Sequence, residues 1–153
     1  MAGKLTIRDA LDMAIREEIK AYTLYFNLSK IVKNQGTKSM LVELADQEKG
    51  HQKLLKGITE NDVQNRLGQN IPSESSDITN FMIETNLDED ATPREAIVYA
   101  IKAEQKAIDF YAALGDNLTD PSLKQIFTKL ASEEKGHKIK LEDEYEEHFM
   151  KDN

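Results

Sequence analysis

The chain repeats itself. Residues 6–57 align with residues 92–143 at a constant offset of 86, without gaps, and 18 of the 52 positions are identical. Unrelated segments would agree at roughly one position in sixteen, so the halves are two copies of one structural unit. Whatever one copy folds into, the other must fold into as well. Positions kept in both copies are informative without any second sequence.

Each copy reads as a pair of helices. Thr6 followed three residues later by Asp9 has the form of a capping box. Beyond it Leu11, Ala14, Ile15, Ala21, Tyr22, Tyr25 and Leu28 recur at steps of three and four, the period of an amphipathic helix. Gly36 is the expected stop. A second helix is predicted from about Thr37 to Asn65, with Met40, Leu41, Leu44, Ala45 and Leu55 on its apolar side. Residues 66–91 read as a connection containing Gly68, Pro72 and the serines from Ser73 to Ser76. A short helix is expected inside it from Ile78 to Ile83. Thr92, Pro93 and Glu95 then supply a cap, a proline at the first helical position and the box acid. That third helix should reach about Gly115, and a fourth, opened by Asp120 and Pro121, about Met150.

No stretch alternates with period two, so no half-buried strand is expected. The order helix, short turn, helix, long connection, helix, short turn, helix predicts an all-α protein. Its architecture is an antiparallel four-helix bundle with one long crossover, made of two repeated helix pairs. One domain should span residues 1–153, with repeat one at about 6–65, the connection at 66–91 and repeat two at 92–150.

Composition narrows the function. A mass of 17.4 kDa suits one domain. The net charge of −8 leaves no basic stripe for a phosphate backbone, which argues against nucleic acid. No apolar run approaches the ~20 residues needed to cross a bilayer. Charge appears too early, at Lys4, Arg8 and Asp9, for a signal-peptide core, so the cytoplasm is the expected location. The absence of cysteine excludes disulfides, thiol catalysis and any cysteine-ligated iron centre within this chain.

The positions shared by both copies include Glu18 and Glu104, Tyr25 and Tyr111, Glu48 and Glu134, His51 and His137. The second and fourth helices each carry the string Glu-Lys-Gly-His, at Glu48 to His51 and Glu134 to His137. Residues i and i+3 share a helix face, so a carboxylate and an imidazole there can reach one ion. The first and third helices each place a glutamate two turns before a tyrosine. Chance placement of 16 glutamates and 3 histidines gives about 0.3 Glu-x-x-His pairs. Two such pairs, each 30 residues beyond a Glu-x6-Tyr pair, are far more specific.

Burial sharpens the reading. The helical neighbours of Glu18 are Leu11, Ala14, Ile15, Ala21, Tyr22 and Tyr25, and those of Glu104 are equally apolar. An unpaired carboxylate in such a stripe is expensive, and four converging glutamates repel one another. Two divalent cations remove both difficulties, because four carboxylates and two doubly charged ions cancel.

With these residues the chain resembles the rubrerythrin family of the ferritin-like superfamily, in its four-helix di-iron domain. The likeness covers about residues 6–147 and rests on the duplicated Glu-x6-Tyr and Glu-x-x-His motifs. It implies two metal ions, iron with manganese as the alternative, held by Glu18, Glu48, His51, Glu104, Glu134 and His137. Glu48 and Glu134 would bridge the ions, Glu18 and Glu104 would be terminal ligands, and Tyr25 and Tyr111 would orient ligand carboxylates. It also implies reaction with hydrogen peroxide or dioxygen in a homodimer.

Two departures stand out. Without cysteine there is no rubredoxin iron, so electrons are expected from an external, rubredoxin-like donor. The additional glutamate that typical rubrerythrins carry one turn after the third-helix ligand is replaced by Ala107, mirrored by Ala21. The expected activity is a peroxide-reducing or dioxygen-activating oxidoreductase. A ferritin-like ferroxidase handling iron, a di-manganese catalase and a di-iron hydroxylase are the alternatives.

Other polar residues read as scaffold. Glu17 has Ala103 as its counterpart and is left off the site. Glu43, Glu133 and the acidic run from Glu142 to Glu147 read as solvated faces, and His148 as a surface histidine. Gly50 and Gly136 beside both histidines suggest a close helix approach or room near the metals.

Overall fold

Local hydrogen bonds set where the helices begin. In α1 (Ile7–Ile31) the Thr6 hydroxyl accepts the Asp9 N–H at 3.0 Å, and the Asp9 carboxylate accepts the Thr6 N–H at 3.0 Å. The same box opens α3 (Pro93–Asp116), where Thr92 and Glu95 exchange bonds of 3.0 and 3.1 Å behind Pro93. Asp120 caps α4 (Pro121–Glu144) by accepting the N–H groups of Ser122 and Leu123. Each cap satisfies amide donors that a helix end otherwise leaves without a partner.

The molecule is described by a computed structural model for residues 5–62, 66–69, 71 and 87–149. The short helix expected from Ile78 to Ile83 lies outside the described residues, as do Pro72 and the serines after it.

The first turn differs from the sequence expectation. Asn34, not Gly36, marks the boundary: its Oδ1 accepts the Thr37 N–H at 2.9 Å and starts α2 (Gln35–Glu60). Gly36 lies inside the first turn of that helix, where an added Cβ would sit 3.1 Å from the capping oxygen. At its other end α2 stops at Glu60, earlier than the expected Asn65, with Asn61 bonding back to the Gly57 carbonyl. The chain turns there because tertiary bonds take over. Asp62 accepts the Leu67 N–H and pairs with Arg8, while Leu67 and Ile71 are fully buried. Reciprocal bonds from Ile7 N–H to the Gln69 carbonyl and from Ile71 N–H to the Leu5 carbonyl tie this exit to the N-terminus. After Glu144 the fourth helix widens into a π-helical turn, Tyr145–Phe149.

α1 packs along α2 and α3 along α4, giving the two expected hairpins. The hairpins meet antiparallel: Tyr25 of α1 bonds Glu104 of α3, and Tyr111 of α3 bonds Glu18 of α1. Each partner pair is the other shifted by one repeat, so a two-fold axis relates the hairpins.

The core is split into two layers. At one end Leu11, Ala14, Leu55, Leu114, Phe127 and Leu130 pack together; at the other Leu28, Leu41, Leu44, Ile97, Ala100 and Leu141 do so. Between them every helix carries polar residues: Glu18, Glu48 with His51, Glu104, and Glu134 with His137, all at most 5% exposed. Two apolar plugs thus seal a charged layer at mid-height of the bundle.

Candidate metal centre

The structure brings all six predicted ligands together. They form two overlapping sets, Glu18, Glu48, His51, Glu134 and Glu48, Glu104, Glu134, His137. Within each set, one ligand atom per residue lies within 4.8 Å of the others. Glu48 and Glu134 belong to both sets, so they are placed to bridge two ions. Glu18 and Glu104 belong to one each, as terminal ligands would.

The donor atoms have no other employment. Glu18 Oε2, Glu48 Oε1, His51 Nδ1, Glu104 Oε2, Glu134 Oε1 and His137 Nδ1 are buried without a hydrogen-bond partner. That is one atom from each of the six residues. His51 Nδ1 stands 3.0 Å from Glu134 Oε1 and 3.2 Å from Glu48 Oε1, and His137 Nδ1 stands 3.3 Å from Glu48 Oε1. These close approaches converge on common points without hydrogen-bond alignment. Buried polar atoms are almost always paired, and leaving one unpaired costs about 1–3 kcal/mol. Six orphans converging in one layer fit cations as their missing partners. Mixed carboxylate and imidazole donors suit iron or manganese.

The remaining atoms of these side chains are engaged. Tyr111 Oη donates to Glu18 Oε1 at 2.5 Å, and Tyr25 Oη donates to Glu104 Oε1. Tyr25 and Tyr111 thus each hold one of these two carboxylates in place. Burial, followed by the charge of the glutamate each one bonds, drives both phenols well above their ordinary value, so they remain donors.

Without a cation, protons take over the charge balance. Burial pushes the carboxyls of Glu48 and Glu134 well above the usual range, aided by their acidic neighbours. Burial alone would lower the histidines. The carboxylates of Glu134, Glu18 and Glu48 overcome it at His51, and Glu104 and Glu134 do so at His137, so both are raised. Glu104 is lowered: burial opposes ionisation, but the proximity of His137 and Glu134 and the bond from Tyr25 prevail.

Two residues at the centre escaped the sequence reading. Gln47 Oε1 lies 2.6 Å from His137 Nε2, and Glu133 Oε1 lies 3.3 Å from His51 Nε2. Glu133 is therefore more than part of a solvated face. The two occupy equivalent repeat positions, each just before a Glu-Lys-Gly-His string, and each reaches the histidine of the other copy. Their non-identity hid them; the shared hydrogen-bonding capacity at that position was the available signal. Glu43 and His148 stay at the surface, paired with Lys140 and Glu144 respectively. No close helix approach occurs at Gly50 or Gly136, where an added Cβ would meet nothing within 4 Å.

A cavity of about 500 Å³ opens between α1 and α3 and reaches Glu18, Glu48, Glu104 and Glu134. Ala21, Ala103 and Ala107 are among its walls, and these small side chains leave room beside the six-residue cluster.

The sequence profile of the rubrerythrin family matches residues 9–89 and 95–153. The chain belongs to the rubrerythrin family. Among solved structures, a candidate ferritin-like diiron-carboxylate protein of Thermotoga maritima superposes with a TM-score of 0.76 at 25% identity. That alignment covers 96% of this chain and 99% of the other. A hypothetical protein of Pyrococcus furiosus gives 0.74 at 28% identity, covering 92% of this chain and 89% of its own. A manganese catalase of Anabaena gives 0.64 at 18% identity, over 95% and 74%, and shares the fold. No curated protein sequence matches. The bundle is therefore ferritin-like, and its Glu/His layer fits the two-metal site of a rubrerythrin-family protein. Among the described residues no helix is long and apolar enough to cross a membrane.

Proposed function

We propose that this rubrerythrin-family chain is a non-haem di-iron oxidoreductase that reduces hydrogen peroxide to water. The single observation that carries the reading is the set of six orphaned donor atoms, one from each residue of the duplicated motif. Glu48 and Glu134 would bridge the ions, with Glu18 and His51 completing one position and Glu104 and His137 the other. When bound, two such ions supply redox electrons and Lewis acidity.

The reaction consumes one peroxide, two electrons and two protons and yields two waters. The chain's own residues serve its other needs. The cavity between α1 and α3 admits a small oxidant to the ligand layer. The two apolar plugs keep bulk water from that layer along the bundle axis. Tyr25 and Tyr111 hold the terminal carboxylates in one orientation. These residues hold no cysteine to ligate an iron of their own, and the proposed electron source is an external, rubredoxin-like donor. The working unit is a cytoplasmic homodimer.

The test is metal content on anaerobically purified protein, with an optical spectrum before and after one equivalent of peroxide. About two irons per chain, oxidised by peroxide without oxygen release, is the expected result. Two manganese ions and oxygen evolution would replace the reading with a catalase. A closed cage of many subunits on size exclusion, instead of a dimer of twice 17.4 kDa, would replace it with iron storage. Failure to take up either metal would overturn it.

A further inference from the structure

The six ligands obey a two-fold axis, but the groups behind them do not. A histidine that ligates through one ring nitrogen usually donates its other N–H to an acceptor, and that acceptor tunes how strongly the ring donates to the ion. Here the ligand-facing atom is Nδ1 in both rings, and the outer atom is Nε2. Behind His137 the acceptor is the neutral amide of Gln47; behind His51 it is the carboxylate of Glu133.

The asymmetry extends one residue further. The Gln47 amide donates to Glu43, which also meets Lys140, so that side ends in a neutralised pair. The repeat counterparts of Glu43 and Lys140 are Lys129 and Leu54, so the pair is not reproduced behind Glu133. The two rings stack with centroids 5.8 Å apart at an interplanar angle of 11°, and their outer contacts differ in length as well as charge, 2.6 Å to the Gln47 amide and 3.3 Å to the Glu133 carboxylate.

We propose that Glu133 and Gln47 make the two metal positions inequivalent, so that the position completed by Glu18 and His51 fills first. A carboxylate behind an imidazole draws its N–H outward and enriches the opposite nitrogen, whereas an amide oxygen does so less. Glu133 also adds a negative charge near one ion. Both are positioning residues that act through a ligand, and neither reaches an ion itself. The inference rests on the di-metal reading of the site.

Zinc serves as a diamagnetic probe that reports binding without turnover. Imidazole signals of His51 and His137, assigned by nitrogen-15 NMR, are followed as zinc is added to the full chain. The first equivalent should shift the His51 ring and the second the His137 ring, with dissociation constants on the order of tenfold apart. Glu133→Gln should bring the two steps together by weakening the first. The exchanged variant, Glu133→Gln with Gln47→Glu, should reverse the filling order, an outcome that a merely structural role would not produce. Both side chains lie on exposed helix positions, so both variants are expected to fold. Simultaneous response of the two rings in the unaltered chain, or a filling order unmoved by the exchange, would overturn the proposal while leaving the di-metal site standing. No zinc uptake at all would overturn the site itself.

Discussion

Tyr111 of α3 reaches across the bundle and donates its hydroxyl to Glu18 of α1, 93 residues away in sequence, at 2.5 Å. The bond fixes the Glu18 carboxylate through Oε1 and leaves Oε2 buried without a hydrogen-bond partner. Tyr111→Phe removes the donor and leaves Glu18 Oε1 buried without one. The expected loss is roughly 1–3 kcal/mol of stability, read as a lower denaturation midpoint with an unchanged slope. Metal affinity should drop as well, by about tenfold, since the carboxylate is no longer held in place. Tyr25→Phe should behave alike through Glu104, because the two-fold axis makes the bonds equivalent.

Gly50 and Gly136 lie on exposed, mid-helix positions of α2 and α4 with open space where a Cβ would be. Helical glycine costs about 0.5–1 kcal/mol relative to alanine through backbone entropy. Gly50→Ala and Gly136→Ala should therefore each raise stability by that amount, additively, as seen in thermal denaturation. Metal stoichiometry should stay the same, since neither position crowds the ligands. A loss of metal from either variant would give the glycines a role at the centre that the structure does not.

Much of the architecture was legible because it is written twice. The duplicated caps at Thr6 and Thr92 and the Glu-Lys-Gly-His strings survive as identities, the apolar stripes survive in character, and each appears in the folded chain. What escaped was set by contacts between distant segments. Glu60 ends α2 because Asp62 and Leu67 are wanted elsewhere, at Arg8 and in the core. Gly36 reads as a stop, yet Asn34 holds the cap, and a Cβ at Gly36 would stand 3.1 Å from its oxygen. Gln47 and Glu133 escaped because they sit at exposed helix positions and meet a histidine on another helix. Periodicity within one helix carries no trace of such a pairing.

The cavity between α1 and α3 gives access to the ligand layer a measurable consequence. Ala107 lines it one turn beyond Glu104, and Ala21 occupies the mirrored position beyond Glu18. Ala107→Leu would place three further carbons in the opening without touching a donor atom. Peroxide should then oxidise the loaded protein several times more slowly in stopped-flow, with metal content unchanged. Ala21→Leu should slow it similarly, again because the axis makes the walls equivalent. Unaltered rates in both would move the entry route elsewhere.

Protons and metal compete for the same atoms, and the signs follow from the pKa directions. His51 and His137 are raised above their ordinary value of 6.5. A group raised on folding gives its full stabilisation below its unfolded pKa and loses it as pH climbs toward the folded one. Glu48 and Glu134, raised from 4.5, act in the same sense from a lower starting point. Glu104 is lowered, so its contribution is present above its unfolded pKa of 4.5 and disappears only as pH falls below that. The melting temperature of metal-free protein should therefore decline as pH rises from about 5 to 9. Metal binding must displace those protons, so it should release them to solution and tighten over the same range. The gap between loaded and metal-free melting temperatures should widen with pH, and calorimetry in buffers of different ionisation enthalpy should count the protons released. A gap that narrows with pH would mean that His51, His137, Glu48 and Glu134 are not the groups that hold the ions.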